Sequence, residues 1–181
     1  MKQAKKSDGQ KGKDLMDRIS YLNNCMARLE ELVLQELGWQ ASWKVDMVGI
    51  DFIQAKKIEG DTVEKVVESC SQEITAAGIV KEITYTVGGL GILLTLNMKS
   101  CLHIPMEARL KKDGIKPFMC PIANMFLDRI IEVLHYETYY IADLTIDENK
   151  EECTVRCAIY ENDDKIGLVS DWSQTATQKE E

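Results

Sequence analysis

The chain has 181 residues, 45% of them hydrophobic and 29% charged, with a formal net charge of −8 at pH 7. That length suits one domain with tails, and its core is large enough to fold without disulfide staples. The acidic balance argues against a nucleic-acid surface, no apolar run is long enough for membrane insertion, and "MKQAKKSDGQKGKD" lacks the hydrophobic segment of a secretory signal, so a cytoplasmic protein is expected.

Residues 1–13 read as a disordered basic tail, with Lys2, Lys5, Lys6, Lys11 and Lys13 able to touch an acidic partner protein. A single α+β domain is expected over residues 14–168, and a disordered acidic and polar tail over 169–181. From Asp14 onward apolar residues recur at Leu15, Ile19, Leu22, Met26, Leu29, Val33 and Leu37, the spacing of an amphipathic helix that Gly38 ends. Cys25 reads as core beside Met26, and a long apolar first helix invites a homodimer. Trp39 to Asp61 has weak periodicity and reads as loop with short helical or extended pieces.

Asp61-Thr62-Val63-Glu64 supplies a capping side chain with a carboxylate three residues on. Val63, Val66, Val67, Cys70 and Ile74 then form one helical face, stopped by Gly78. Beyond Gly78 the period becomes two: Val80, Ile83, Tyr85 and Val87 lead into "GGLG", followed by Ile92, Leu93, Leu94, Leu96 and Met98, which reads as a hairpin. Gly88, Gly89 and Gly91 precede a strand, so they lack the helix terminus that a phosphate-binding loop needs.

Glu107 to Lys112 reads as one or two helical turns ended by Asp113-Gly114. Pro121 suits a first helical turn and opens a helix through Ile122, Met125, Phe126, Ile130, Val133 and Leu134 to about His135. "YYIADLTID", "ENKE" and "ECTVRCAIYE" make a second hairpin. The order helix, helix, hairpin, helix, hairpin predicts an antiparallel sheet of two β-hairpins covered on one side by helices.

Six cysteines in a reducing compartment are free thiols, ligands or redox groups rather than a disulfide framework. Cys101, His103 and Cys120 surround a short charged stretch. If the strand after His135 returns along the preceding helix, Cys120 comes close to Cys153. Four residues of strand span about 13 Å, so Cys153 and Cys157 cannot grip one ion; Cys153, beside the turn, belongs to the site and Cys157 points into the core. Cys101, His103, Cys120 and Cys153 would supply the sulfur and nitrogen donors of tetrahedral zinc, whereas an iron–sulfur cluster would have to recruit Cys157 or exchange a ligand. The competing reading is buried thiols beside a surface histidine, because no CxxC pair is present. His135 reads as a helix cap. Nothing in the spacing makes Glu107 and His103 an acid–base pair, and no nucleophile elbow, Walker loop or HExxH element occurs, so no catalytic residue is assigned and an enzyme is the minority reading.

The block "KPFMCPIANMFLDRIIEVLHYETYYIADLTIDENKEECTVRCAIYE", residues 116–161, resembles the C-terminal half of the 4-vinyl-reductase domain family, whose fold is similar to that of TRAPP trafficking subunits. The likeness lies in Cys120 at the start of an apolar helix, the strand and acidic turn near Glu148 to Glu152, and Cys153-Thr154-Val155 opening the last strand. It implies a hydrocarbon-binding or aromatic-ligand-binding, dimerising sensory domain, with Cys120 and Cys153 as carried-over zinc ligands. The family's further cysteine has no counterpart between Ala142 and Asp147, so either Cys101 and His103 replace the missing ligands or the site is lost.

Together these readings give a cytoplasmic, homodimeric small-molecule-binding or sensory domain acting through a partner protein. Its pocket, lined by Leu94, Phe118, Met119, Met125 and Phe126, would take an apolar small molecule. The alternative is an iron–sulfur or zinc-binding protein with redox or metal-handling work.

Overall fold

A computed structural model describes residues 8–43, 45–88 and 93–161. Its helices are α1 (Asp8–Leu37), α2 (Ile50–Gln54), α3 (Val63–Ala76), α4 (Ile104–Lys112) and α5 (Pro121–Leu134), and its strands are β1 (Glu82–Gly88), β2 (Leu93–Lys99), β3 (Glu137–Asp147) and β4 (Glu152–Tyr160). Residues 1–7, the middle of the glycine cluster, the acidic tail and the expected boundary at residue 168 lie outside the described residues.

The two stretches of period-two alternation each fold into an antiparallel hairpin, and β2 joins β4 to give one sheet of order β1-β2-β4-β3. That join sets Leu94 opposite Cys157, Leu96 opposite Val155 and Met98 opposite Cys153. All six side chains are buried, since alternate residues of a strand share one face. On the reverse face Thr154 Oγ1 donates to Asn97 Oδ1 at 2.8 Å. The domain is α+β, with its core between the sheet and the helices.

α3 begins within the expected stretch, but its cap is Thr62 rather than Asp61, the residue three before Glu64: Thr62 Oγ1 accepts from Lys65 N at 3.4 Å, and Val63, Val66, Val67, Cys70 and Ile74 are buried. They share one core with Ile122, Phe126 and Ile130 of α5 and with the inward residues of β2 and β4. Pro121 occupies the first turn of α5, and His135 ends that helix in the left-handed conformation, its N–H bonded to Ile131 O. A second, smaller core joins Ala27 of α1, Ala41, Val45, Met106 and Leu110 of α4, and Phe118 and Met119.

Three expectations need correction. α1 begins at Asp8 rather than Asp14, drawing residues 8–13 out of the expected tail. The stripe from Leu15 to Leu37 is not one buried face. Leu15, Leu22, Leu29 and Leu37 are exposed, whereas Asn23, Ala27 and Glu30 are buried, because α1 docks by that second face on α4, the short 3-10 helix Gly38–Trp43 and the backbone at Leu102, Phe118 and Met119. Cys25 is accordingly half-buried and not core. Finally, α4 starts at Ile104, with Pro105 in its first turn, earlier than the expected Glu107.

Candidate functional site: a buried thiol cluster

Lys99, the last residue of β2, lies opposite Glu152, the first of β4. Ser100 then takes a positive φ of 49° and holds Glu151 twice, through N to O and Oγ to Oε2, each at 2.7 Å. Those contacts turn the chain inward and deliver Cys101 to the side of Cys153. The segment is pinned from behind as well: Leu102 N donates to Ile79 O at 3.0 Å, and Asn23 Nδ2 of α1 donates to Leu102 O at 2.7 Å. His103 then caps α4, its carbonyl accepting from Met106 N and Glu107 N.

Cys101 Sγ accepts from His103 N at 3.5 Å and lies 3.8 Å from His103 Nδ1. Cys153 stands near enough to interact with it, and that interaction with the His103 contacts holds Cys101 below the usual thiol range despite its burial. Cys153 is pushed up by the same interaction and by burial. Cys120 caps α5: its Sγ accepts from Ala123 N at 3.4 Å. Burial pushes it well above the usual range, and it lies close enough to feel the charge of Cys101. Cys157 and Cys70, each surrounded by core, are pushed up to about 12 by burial.

Behind the sulfurs sit two buried carboxyls. Glu30 Oε1 of α1 accepts from Phe118 N at 3.1 Å and Met119 N at 3.3 Å. Glu107 is raised to about 9, first by burial and then by the nearby Glu30 and Cys101. Among the described residues, Glu30 Oε2 and Glu107 Oε2 have no hydrogen-bond partner in the chain. Sequence reasoning missed Glu30, which stands in a charged Glu30-Glu31 pair. The signal was a second face at three-and-four spacing, Asn23, Ala27, Glu30 and Leu34, on which α1 actually docks.

The chain thus brings Cys101 and His103 into contact, with Cys153 and Cys120 near enough to interact with Cys101, and leaves Cys157 in the core. His135 caps α5 on the surface. For zinc the fit is partial. Zinc–sulfur and zinc–nitrogen bonds of about 2.3 and 2.0 Å at tetrahedral angles separate the two donors by about 3.5 Å, close to the 3.8 Å between Cys101 Sγ and His103 Nδ1. Among the described residues no set of three or more His, Cys, Asp or Glu side chains is already arranged to hold a metal ion.

The expected pocket residues are packed core in two separate places. Leu94, Met125 and Phe126 belong to the large core, and Phe118 and Met119 to the small one. None of the five lines the open clefts flanking α4 or the cleft on the polar face of the sheet. Comparison of the chain with protein-family models, with curated proteins and with solved structures found no match in any of the three.

Proposed function

We propose that this chain is a binding or sensory domain whose responsive element is the cluster of Cys101, His103, Cys120 and Cys153, and that the cluster takes a soft divalent metal, zinc by the chemistry of its donors. The observation that carries the reading is the 3.8 Å approach of His103 Nδ1 to Cys101 Sγ, with Cys153 near enough to shift the same thiol. A metal must displace protons from its thiol ligands, and a sulfur already held toward the thiolate lowers that barrier. Cys101 and His103 would hold the ion first. Cys153 would join by losing its proton, and Cys120 by releasing Ala123 N. An iron–sulfur cluster has less support, because the extra sulfur it needs, Cys157, lies in the core opposite Leu94.

The sensory part of the reading also draws on the resemblance of residues 116–161 to the 4-vinyl-reductase family, in which Cys120 and Cys153 are the ligand positions. A cytoplasmic homodimer signalling through a partner protein completes it; no described helix is long and apolar enough to cross a membrane. The apolar-ligand form is the weaker one, since its pocket residues fill the core.

A redox thiol pair is the second reading, favoured by the same interaction of Cys153 with Cys101. A peroxide would oxidise the Cys101 thiolate to sulfenic acid with release of hydroxide, and the Cys153 thiol would then displace water to form the disulfide.

Metal analysis and visible spectroscopy of anaerobically purified full-length chain test the first reading. About one zinc per chain is expected, retained in Cys25→Ser, reduced in Cys120→Ser and lost in Cys101→Ser. A parent protein that neither contains zinc nor binds it in titration overturns the metal reading. A Cys101–Cys153 disulfide in the peroxide-treated protein, mapped by mass spectrometry, would then select the second.

A further inference from the structure

α1 carries a second apolar stripe that the rest of the domain leaves uncovered. Leu15, Leu22 and Leu29 stand seven residues apart and are 57%, 59% and 57% exposed. With Arg18 and Cys25 between them, and Leu32 and Glu36 beyond, they form the alternating three-and-four seam of a two-stranded coiled coil. The face that docks on the domain, Asn23, Ala27 and Glu30, points elsewhere.

We infer that this seam binds the same seam of a second copy, with the two α1 helices antiparallel and Leu22 packed against the partner's Leu32. The inference deepens the homodimer part of the proposed function and is independent of the thiol cluster. Charge sets the direction. In a parallel pair Arg18 would face Arg18 and Glu36 would face Glu36, and like charges across a seam repel. In the antiparallel register Arg18 meets the partner's Glu36 at both ends, while Leu22 meets Leu32 and Cys25 meets Leu29 between them. The area is sufficient as well. The exposed parts of Leu15, Tyr21, Leu22, Leu29 and Leu32 amount to roughly 500 Å² per copy, or about 1,000 Å² in a pair, the size at which specific interfaces begin.

Sedimentation equilibrium of the full chain tests this. Arg18→Glu and Glu36→Arg should each weaken the dimer about tenfold, and the double reversal should restore it. Leu22→Glu with Leu29→Glu should give monomers of unchanged helix content, since both side chains are exposed. In Leu29→Cys, mild oxidation should join the introduced thiol to the partner's Cys25. A monomeric parent at all concentrations overturns both the homodimer and this interface, and hands the seam to residues 162–181 or to another protein. A dimer indifferent to the seam variants, or one oxidised through Cys25 to Cys25 in the parent, overturns the antiparallel seam while leaving the homodimer intact.

Discussion

Cys101 and Cys153 interact across the point where β2 ends and β4 begins, and the interaction sets them apart: it holds Cys101 below the usual thiol range and pushes Cys153 above it. Cys153→Ala removes that interaction, so the Cys101 thiol should titrate at higher pH than in the parent. Ultraviolet thiolate absorbance and the pH profile of Cys101 alkylation, read by mass spectrometry, both report the midpoint. Cys70 and Cys157, pushed up to about 12 by burial, serve as unreactive references in the same digest. An unchanged Cys101 midpoint would mean that His103 alone sets it.

Glu107 links the site to stability. Its folded value, raised to about 9, exceeds that of an unfolded carboxyl, so between the two the folded chain binds the extra proton. Stability from this group is therefore complete at acid pH and is lost as pH rises toward 9, at up to about 1.4 kcal/mol per pH unit. Glu107→Gln replaces the neutral acid with a neutral amide and should remove that slope. Urea unfolding should find the variant more stable than the parent above neutrality, by roughly 2–4 kcal/mol at about pH 8, with the difference vanishing near about pH 5. Parallel stability profiles for the two proteins would show that Glu107 is ionised in the fold.

Glu30 should behave in the opposite way when truncated. Its Oε1 satisfies the backbone N–H groups of Phe118 and Met119, and both bonds are buried. Glu30→Ala leaves two buried donors without an acceptor and should cost about 2–4 kcal/mol, while Glu30→Gln keeps an acceptor oxygen and should cost less. Because Glu30 is one cause of the raised Glu107, the Gln variant should also lower the pH at which Glu107 titrates. Equal destabilisation by both variants would assign the loss to charge rather than to the two N–H groups.

Much of this fold was legible because local signals and tertiary demands agree. The Val63-to-Ile74 face, the Pro121 start and both hairpins each follow from a spacing that the sheet and helices then bury. α1 was misread because its sequence carries two faces with helical spacing. The leucine seam is the more apolar, so periodicity selects it, yet the domain docks on Ala27 with hydrogen-bonding Asn23 and Glu30. The thiol site was legible in part. A returning strand was enough to bring Cys120 toward Cys153, and the position of Cys101 after β2 put it at the same rim. Three details lay outside any pattern: the positive φ at Ser100, the interaction between Cys101 and Cys153, and the two buried carboxyls nearby. Each depends on partners distant in sequence.

Gly49 tests how tightly the start of α5, and with it Cys120, is held. Its φ of +93° disfavours any residue with a side chain, and a Cβ built there would lie 2.9 Å from Pro121 Cβ and 3.1 Å from Pro121 O. Two independent penalties therefore fall on Gly49→Ala: the backbone conformation and a collision with the residue that opens α5. Gly114 separates them, because its φ of +77° carries the first penalty while nothing lies within 4 Å of its Cβ position. Gly114→Ala should cost about 1 kcal/mol and Gly49→Ala roughly 2–4 kcal/mol in urea unfolding. Pro121 follows Cys120 directly, so the larger substitution should also loosen the bond from Ala123 N to Cys120 Sγ and quicken hydrogen exchange at Ala123. Equal losses at the two glycines, with Ala123 exchange unchanged, would show that the loop before α2 moves aside and that α5 keeps its position without the close approach of Gly49.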